Sequence, residues 1–205
     1  MIKNIFANII SRVWGFLSVF IFTPFYIKTF GLEQFGIISF YLLLTALLYF
    51  LDMGLSASVN REFARNKSGD YLPKLLSTVE GVYGIIMLFI VLIFGVFPSK
   101  IVKIFDSAAA YHDISQYLIW IGLAIALNLF LILYKSALMG MELQVAANFI
   151  SILANLSRYA FPFLLFIVYD DSLQIYFWWQ VLSNFIFILI YKYKLYKVLG
   201  RVEFR

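Results

Sequence analysis

The chain has 205 residues, of which 63% are hydrophobic and only 13% charged, with a net charge of +5 and no cysteine. Soluble domains are about half apolar and about a quarter charged, so this composition excludes a soluble protein and indicates an integral membrane protein. The lack of cysteine excludes disulfides, thiolate metal sites and thiol catalysis, and a single histidine, His112, cannot form a histidine metal cluster.

Six apolar runs follow one another along the chain, each long enough to cross a bilayer as a helix of about 20 residues. They lie at residues 5–29, 35–59, 79–97, 114–134, 147–169 and 173–191, followed by a basic tail at 192–205. Helix is expected because backbone polar groups in hydrocarbon must be paired within the segment. The sequence therefore predicts an all-α, polytopic membrane helix bundle. It forms a single transmembrane domain over residues 1–205, with the first span retained and not cleaved as a signal peptide.

The lysine and arginine residues are distributed unequally between the loops. With a cytoplasmic N-terminus, eleven of them lie on the cytoplasmic side and three on the outer side. The cytoplasmic set is Lys3, Arg61, Arg65, Lys67, Lys74, Lys135, Lys192, Lys194, Lys197, Arg201 and Arg205, and the outer set is Lys28, Lys100 and Lys103. By the positive-inside rule, both termini are predicted to face the cytoplasm. The basic tail is interpreted as a contact with anionic lipids and not with nucleic acid.

The predicted outer loops are short and carry few groups that could do chemistry. The longest, residues 98–113, is expected to lie along the outer interface as an amphipathic segment. Asp170 and Asp171 are interpreted as a solvated turn, and His112 as a surface residue. The sequence also lacks a Gly-x-x-x-x-Gly-Lys phosphate-binding loop. We therefore expect no enzyme activity, no metal, no cofactor and no direct use of ATP.

Every predicted span carries a polar or small-residue face at helical spacing. In the first span the face comprises Asn8, Ser11, Arg12, Gly15 and Ser18, and in the fifth it comprises Asn148, Ser151, Asn155, Arg158 and Pro162. The segments Ala7–Ser11 and Ala147–Ser151 share four identities in five positions, which suggests a common helix-entry pattern. Glycine and serine on such faces often serve only helix packing, so these residues alone do not indicate a site.

Ionisable residues within the spans indicate function more strongly, since a charge at mid-membrane costs about 2.5–3.5 kcal/mol even on the permissive insertion scale. Arg158 lies near the middle of its span, while Arg12 and Asp52 lie closer to the inner boundary. Positive groups facing a polar cavity would attract an anion such as phosphate, pyrophosphate or an acidic sugar. We therefore predict a substrate-binding cavity. Its candidate residues are Arg12, Asp52, Arg158, Asn155 and Asn8.

The first 65 residues contain an ordered set of short motifs. These are Asn8, Ser11-Arg12, Gly15, Thr23-Pro24, Thr29-Phe30-Gly31, Phe35-Gly36-Ile37, Leu51-Asp52-Met53-Gly54-Leu55 and Asn60-Arg61-Glu62-Phe63-Ala64-Arg65. The set resembles the start of bacterial polysaccharide-biosynthesis flippases, which transport O-antigen and capsule units. That family belongs to the multidrug/oligosaccharidyl-lipid/polysaccharide exporter superfamily. The Leu-Asp-Met-Gly-Leu run carries most of the resemblance.

The resemblance implies a transporter with two six-helix lobes around a central cavity, in which this chain corresponds to the N-terminal six-helix half. Such a protein moves an undecaprenyl-pyrophosphate-linked oligosaccharide across the bacterial plasma (inner) membrane by alternating access, with coupling to an ion gradient. The expected partners are this lipid-linked oligosaccharide, membrane lipids, and a second lobe or a second copy of the chain. Arg12, Asp52, Arg61 and Arg65 match the family pattern, and Arg61, Arg65 and Lys135 are expected at the cytoplasmic gate or rim.

Three other functions stay open from the residues. A drug/cation antiporter of the same superfamily would favour buried acids, and Asp52 is the one acid well inside a predicted span. A membrane-embedded glycan polymerase or ligase would need catalytic groups in a sizeable outer loop. A membrane scaffold would leave the arginines within the spans unexplained. The arginines favour an anionic lipid-linked substrate.

Overall fold

The computed structural model describes residues 2–52, 54–66, 71–103, 114–168 and 172–202. Helices dominate these ranges, which contain no strand, and the all-α prediction is confirmed. The helices are α1 (Ile2–Asp52), α2 (Leu55–Arg65), α3 (Tyr71–Val96), α4 (Pro98–Lys103), α5 (Leu118–Gly140), α6 (Gln144–Val168) and α7 (Leu173–Val202). The predicted turn at Asp170-Asp171 and most of the predicted outer loop, including His112, lie outside the described residues.

The first helix contains a break at Gly31. A straight helix of 51 residues would be about 77 Å long at 1.5 Å per residue, more than twice the hydrocarbon thickness of about 30 Å. Gly31 has φ 76° and ψ 170°, which is not helical, and divides α1 into a first arm (residues 2–30) and a second arm (residues 32–52). The first two predicted spans therefore share one helix. Within the described ranges, five helices are long and apolar enough to cross a membrane.

The helix ends differ from several predicted span boundaries, because helices continue past the apolar stretch or stop within it. The predicted second span reaches residue 59, but α1 ends at Asp52 and residues 55–65 form the separate α2. Helix α3 begins at Tyr71, eight residues before the predicted start. Helix α7 extends to Val202, so most of the predicted tail at 192–205 is helical. Hydropathy identifies only the residues that lie in the hydrocarbon core. Helical hydrogen bonds also form in the interfacial region, so a helix can extend beyond its apolar run.

Helix α5 is the central element, and most of its residues are buried. It packs against α1, α2, α3, α6 and α7. Two glycines permit the closest approaches: a Cβ on Gly122 would lie 2.6 Å from Cβ of Phe94 on α3. A Cβ on Gly140 would lie 2.5 Å from the carbonyl oxygen of Asn60 on α2. Helices α1, α2, α3, α6 and α7 are therefore arranged around one largely buried helix.

The first arm of α1 and helix α6 pack side by side in parallel. Phe25 contacts Phe163 with ring centroids 5.3 Å apart, and Tyr26 donates a hydrogen bond to the carbonyl oxygen of Tyr159 at 2.7 Å. The two similar segments, residues 7–11 and 147–151, therefore begin neighbouring helices at the same level. Each helix also contains a proline farther along, Pro24 in α1 and Pro162 in α6.

Candidate functional site

A cavity of about 170 Å³ lies between α5, α6, α7 and the second arm of α1. Its walls combine basic, hydroxyl, amide and apolar side chains. The lining residues are Tyr49, Leu131, Ile132, Lys135, Ser136, Met139, Ser151, Ala154, Asn155, Arg158 and Tyr191. Three predicted site residues, Lys135, Asn155 and Arg158, therefore line one cavity.

Arg158 reaches this cavity from the middle of α6. The carbonyl oxygen of Arg158 accepts a hydrogen bond from Nε2 of Gln180 on α7 at 2.9 Å, which fixes the two helices at this level. Its Nε is buried and has no hydrogen-bond partner within the described part of the chain. A buried guanidinium nitrogen without a partner leaves a donor available for a ligand or for water.

Lys135 reaches the cavity from α5 on the opposite side. Its Nζ donates to the hydroxyl oxygen of Ser151 on α6 at 3.0 Å. The charges of both Arg12 and Arg158 act on the Lys135 ammonium, so three positive groups share this region. In the described ranges, neither Lys135 nor Arg158 has a carboxylate within 4 Å. Among the described residues, no acid thus pairs with the two cavity bases, and their positive charge can attract an anion.

Asn155 of α6 approaches the first arm of α1 at Gly15, which has no side chain. Nδ2 of Asn155 lies 3.3 Å from the position that a Cβ on Gly15 would occupy. Gly15 therefore leaves room for the amide at the cavity wall. Arg12 lies one turn earlier on α1; its side chain is exposed and does not line the cavity, although its charge acts on Lys135.

Asn8 occupies a helix contact and not the cavity. Its Oδ1 accepts a hydrogen bond from Nδ2 of Asn148 on α6 at 2.5 Å, and the same Nδ2 group donates to the carbonyl oxygen of Gln144 at 2.8 Å. The two asparagines occupy equivalent positions in the two similar segments. Asn8 therefore joins α1 to α6, and the geometry gives it a packing role.

Asp52 lies in a different polar cluster. The hydroxyl groups of Ser56 and Tyr83 both donate to its carboxylate, and these two hydroxyl oxygens are 3.2 Å apart. The cluster joins the end of α1 to α2 and α3. Asp52 does not line the cavity, because its carboxylate is bonded to Ser56 on α2 and Tyr83 on α3.

Arg61 and Arg65 project from the exposed face of α2, one helical turn apart. The opposite face of this helix buries Val59 and Phe63 against α5. Neither arginine lines the cavity. They lie on an amphipathic helix next to the membrane span, which is compatible with a surface or rim position.

Eight of the eleven lining residues were not among the predicted site residues, and three of these eight are polar residues on different helices: Ser151, Tyr49 and Tyr191. Ser151 lies four residues before Asn155 and seven before Arg158 on one face of α6, so helical spacing could have identified it. Tyr49 comes from the end of the second arm of α1. Tyr191 is buried, and its hydroxyl donates to the carbonyl oxygen of Ala147 at 2.8 Å. Only the packing of α7 against α6 brings Tyr191 to the cavity.

A second acidic cluster lies on α3, one turn from Tyr83. Glu80 accepts a hydrogen bond from the Tyr134 hydroxyl at 2.5 Å and pairs with Nζ of Lys192 at 3.2 Å. This cluster joins α3, α5 and α7. Glu80 and Lys192 pair with each other in this cluster and hold the helices together. Neither group is therefore a candidate for binding a ligand.

Comparison with known proteins places this arrangement in a family. No curated protein and no solved structure matches the chain. A family model described as "Polysaccharide biosynthesis protein" matches residues 1–205, and so confirms the resemblance at the level of the family. The chain, a membrane protein with a basic cavity among its helices, therefore belongs to the polysaccharide biosynthesis protein family.

Proposed function

We propose that this protein acts in the transport of an undecaprenyl-pyrophosphate-linked oligosaccharide, the repeat unit of O-antigen or of a capsule or exopolysaccharide. The movement runs from the inner to the outer leaflet of the bacterial inner membrane. No covalent bond changes in this process, so the protein is not an enzyme. The observation that carries the proposal is the pair of cavity bases, Lys135 and Arg158, which lack an acidic partner in the described ranges.

The physical argument concerns the cost of a charge within the membrane. Desolvated positive groups are unfavourable unless an opposite charge accompanies them. Here the neighbouring groups are another base and neutral hydroxyl and amide groups, so a bound anion supplies the missing charge. A diphosphate has the oxygen acceptors that guanidinium and ammonium donors fit. Membership of a polysaccharide biosynthesis family makes a lipid-linked glycan diphosphate the natural source of that anion.

The size of the cavity limits what it holds. A volume of about 170 Å³ suits a phosphate-sized group and leaves no room for an oligosaccharide of several sugars. The glycan therefore extends out of the cavity, and the lipid tail remains in the bilayer. A second lobe, or a second copy of this chain, would enclose the glycan, and both termini would face the cytoplasm.

A drug/cation antiporter is the second candidate, and the Asp52 cluster favours it. Asp52 is only 6% exposed, and within the described ranges its carboxylate is bonded by hydroxyl groups and not by a base. Such an acid could take a cation or a proton. The lipid-linked anion is preferred because the bases, and not Asp52, line the cavity.

The test is complementation of a bacterium that lacks its own O-antigen flippase. Residues 1–205 are expressed alone and together with a C-terminal six-helix lobe from a family member, and lipopolysaccharide ladders are compared. Arg158→Ala should lower transport by at least about tenfold because the anion loses a charged donor. Arg158→Lys should retain part of it, since the positive charge remains. Lys197→Ala, an exposed change far from the cavity, is the matched control and should behave like wild type.

The outcomes separate the candidates. A lipopolysaccharide ladder that forms with the chain alone or with the added lobe, and that Arg158→Ala weakens, supports the flippase. An inserted protein that gives no ladder in either arm, or full activity in Arg158→Ala, contradicts it. Efflux of a cationic dye that requires Asp52 and not Arg158 would instead establish the antiporter.

A further inference from the structure

Asn128 on α5 is a buried amide without hydrogen bonds. Its side chain is 2% exposed, and neither Oδ1 nor Nδ2 has a partner within the described part of the chain. Asn184, on the facing side of α7, is equally buried, but its Nδ2 donates to the carbonyl oxygen of Ala124 at 2.8 Å. A buried amide with both atoms unbonded loses its hydration without compensation, so it lowers the stability of the folded protein. Residues of this kind suit a site where a polar ligand completes the bonding.

The position of Asn128 links it to the cavity. It precedes the lining residues Leu131, Ile132 and Lys135 by three, four and seven residues, so all four share one face of α5. At 1.5 Å per residue, Asn128 lies about 10 Å along the helix axis from Lys135. Asn128 therefore lies on the same face of α5, one helical turn beyond the apolar lining residues Leu131 and Ile132.

The Tyr41 hydroxyl connects Asn128 with Arg158, a residue of the cavity lining. The Tyr41 hydroxyl lies beside Asn128, without the geometry of a hydrogen bond to it, and within reach of the Arg158 charge. Nε of Arg158 is itself buried and unbonded. The three groups come from α5, α1 and α6, and the Tyr41 hydroxyl is the neighbour that the other two share.

We infer that Asn128, the Tyr41 hydroxyl and Nε of Arg158 form a sugar subsite next to the anion position. This inference rests on the proposed function: the diphosphate lies between Lys135 and Arg158, and the first sugar of the glycan reaches Asn128 by displacing the side chain of Leu131. An amide offers one acceptor and two donors, and a sugar hydroxyl or acetamido group offers both in return. The ionised diphosphate of a lipid-linked glycan is a diester without a P–OH group and offers only acceptors, so Oδ1 of Asn128 bonds a sugar donor and not the diphosphate.

The first measurement is thermal unfolding of the full chain and two matched variants. Asn128→Leu replaces an unbonded amide by an apolar group of similar volume, and it should unfold at the same temperature as wild type or higher. Asn184→Leu removes the bond to Ala124, and it should unfold at a lower temperature. If Asn128→Leu is destabilised as much as Asn184→Leu, the role of Asn128 is structural and the inference is wrong.

The second measurement is binding to the purified chain in lipid nanodiscs by calorimetry. The probes are inorganic phosphate and the 1-phosphates of glucose, galactose and N-acetylglucosamine. Wild type should bind at least one sugar 1-phosphate about tenfold more tightly than inorganic phosphate, as one or two additional hydrogen bonds would give. Asn128→Leu should keep the affinity for inorganic phosphate and lose this preference. Arg158→Ala should weaken the binding of every probe.

The results distinguish this inference from the proposed function. No preference for any sugar phosphate, or a preference that survives in Asn128→Leu, overturns the sugar subsite while leaving an Arg158-dependent phosphate site in place. Failure of wild type to bind phosphate and sugar phosphates alike contradicts the anion cavity itself, and the subsite with it.

Discussion

Tyr83 and Tyr134 each donate a hydrogen bond to a carboxylate on a neighbouring helix, to Asp52 and Glu80 respectively. These acids are thereby satisfied on the side of α5 that faces α3. The bases Lys135 and Arg158 lie on another side, toward α6. The separation of acids from bases leaves the cavity positive, although the chain contains enough acids to neutralise it.

Tyr83→Phe tests the acidic cluster at the residue scale. The variant keeps the ring and removes one donor to a buried carboxylate, so the free energy of unfolding should fall by about 1–3 kcal/mol. Thermal unfolding in detergent measures the change. Tyr193→Phe is the matched control, because the Tyr193 side chain is 68% exposed. Equal stability of the two variants would show that the Asp52 bond contributes nothing.

The sequence allowed the prediction of some cavity residues and not of others, for a geometric reason. Asn155 and Arg158 share one face of α6, so helical spacing was enough to predict that both line the same cavity. Asp52 and Asn8 also lie on polar faces, but helical spacing does not reveal which neighbouring helix a face meets. Asn8 meets Asn148, and Asp52 meets Tyr83. Contacts between helices depend on the packing of the whole bundle.

At the scale of elements, hydropathy predicted the helices well and their ends poorly. The apolar runs located the long helices because each run exceeds the length needed to cross hydrocarbon. The apolar runs did not indicate that the first two spans share one helix, since this connection depends on the backbone angles of Gly31. They also merged the amphipathic α2 with the preceding span, because Leu55 and Val59 continue the apolar run past Asp52.

Gly31→Ala tests the break in α1. The φ of 76° with ψ of 170° belongs to a region that is nearly exclusive to glycine, so a Cβ there should cost about 1–3 kcal/mol of stability. Among the described residues other than its two chain neighbours, no atom lies within 4 Å of the added Cβ, so any loss comes from the backbone alone. Gly36→Ala is the matched control: it is helical and equally open, and alanine should stabilise it by about 0.5–1 kcal/mol. Thermal unfolding of both variants measures the two changes. A Gly31→Ala protein as stable as wild type would contradict a break that requires glycine.

At the scale of the molecule, packing around α5 and the distribution of charge are the two organising features. Helix α5 contacts α2 at Gly140 and α3 at Gly122, so α2 is fixed to the membrane helices. Helix α2 directs its basic face, with Arg61 and Arg65, away from this contact. Its attachment to the bundle thus keeps two positive charges at one membrane surface, as the topology prediction requires.

The orientation in the membrane can be tested with a single thiol, because the chain has no cysteine of its own. Ser58→Cys on α2 and Ser99→Cys on α4 are both exposed and change no charge, so the bias of lysine and arginine stays intact. The positive-inside rule predicts that a membrane-impermeant maleimide labels Ser99→Cys in intact cells and labels Ser58→Cys only after lysis. Labelling in the reverse order would place the basic α2 outside. It would also put the cavity rim on the side from which a cytoplasmic lipid-linked glycan could not enter, so it would remove the proposed direction of transport.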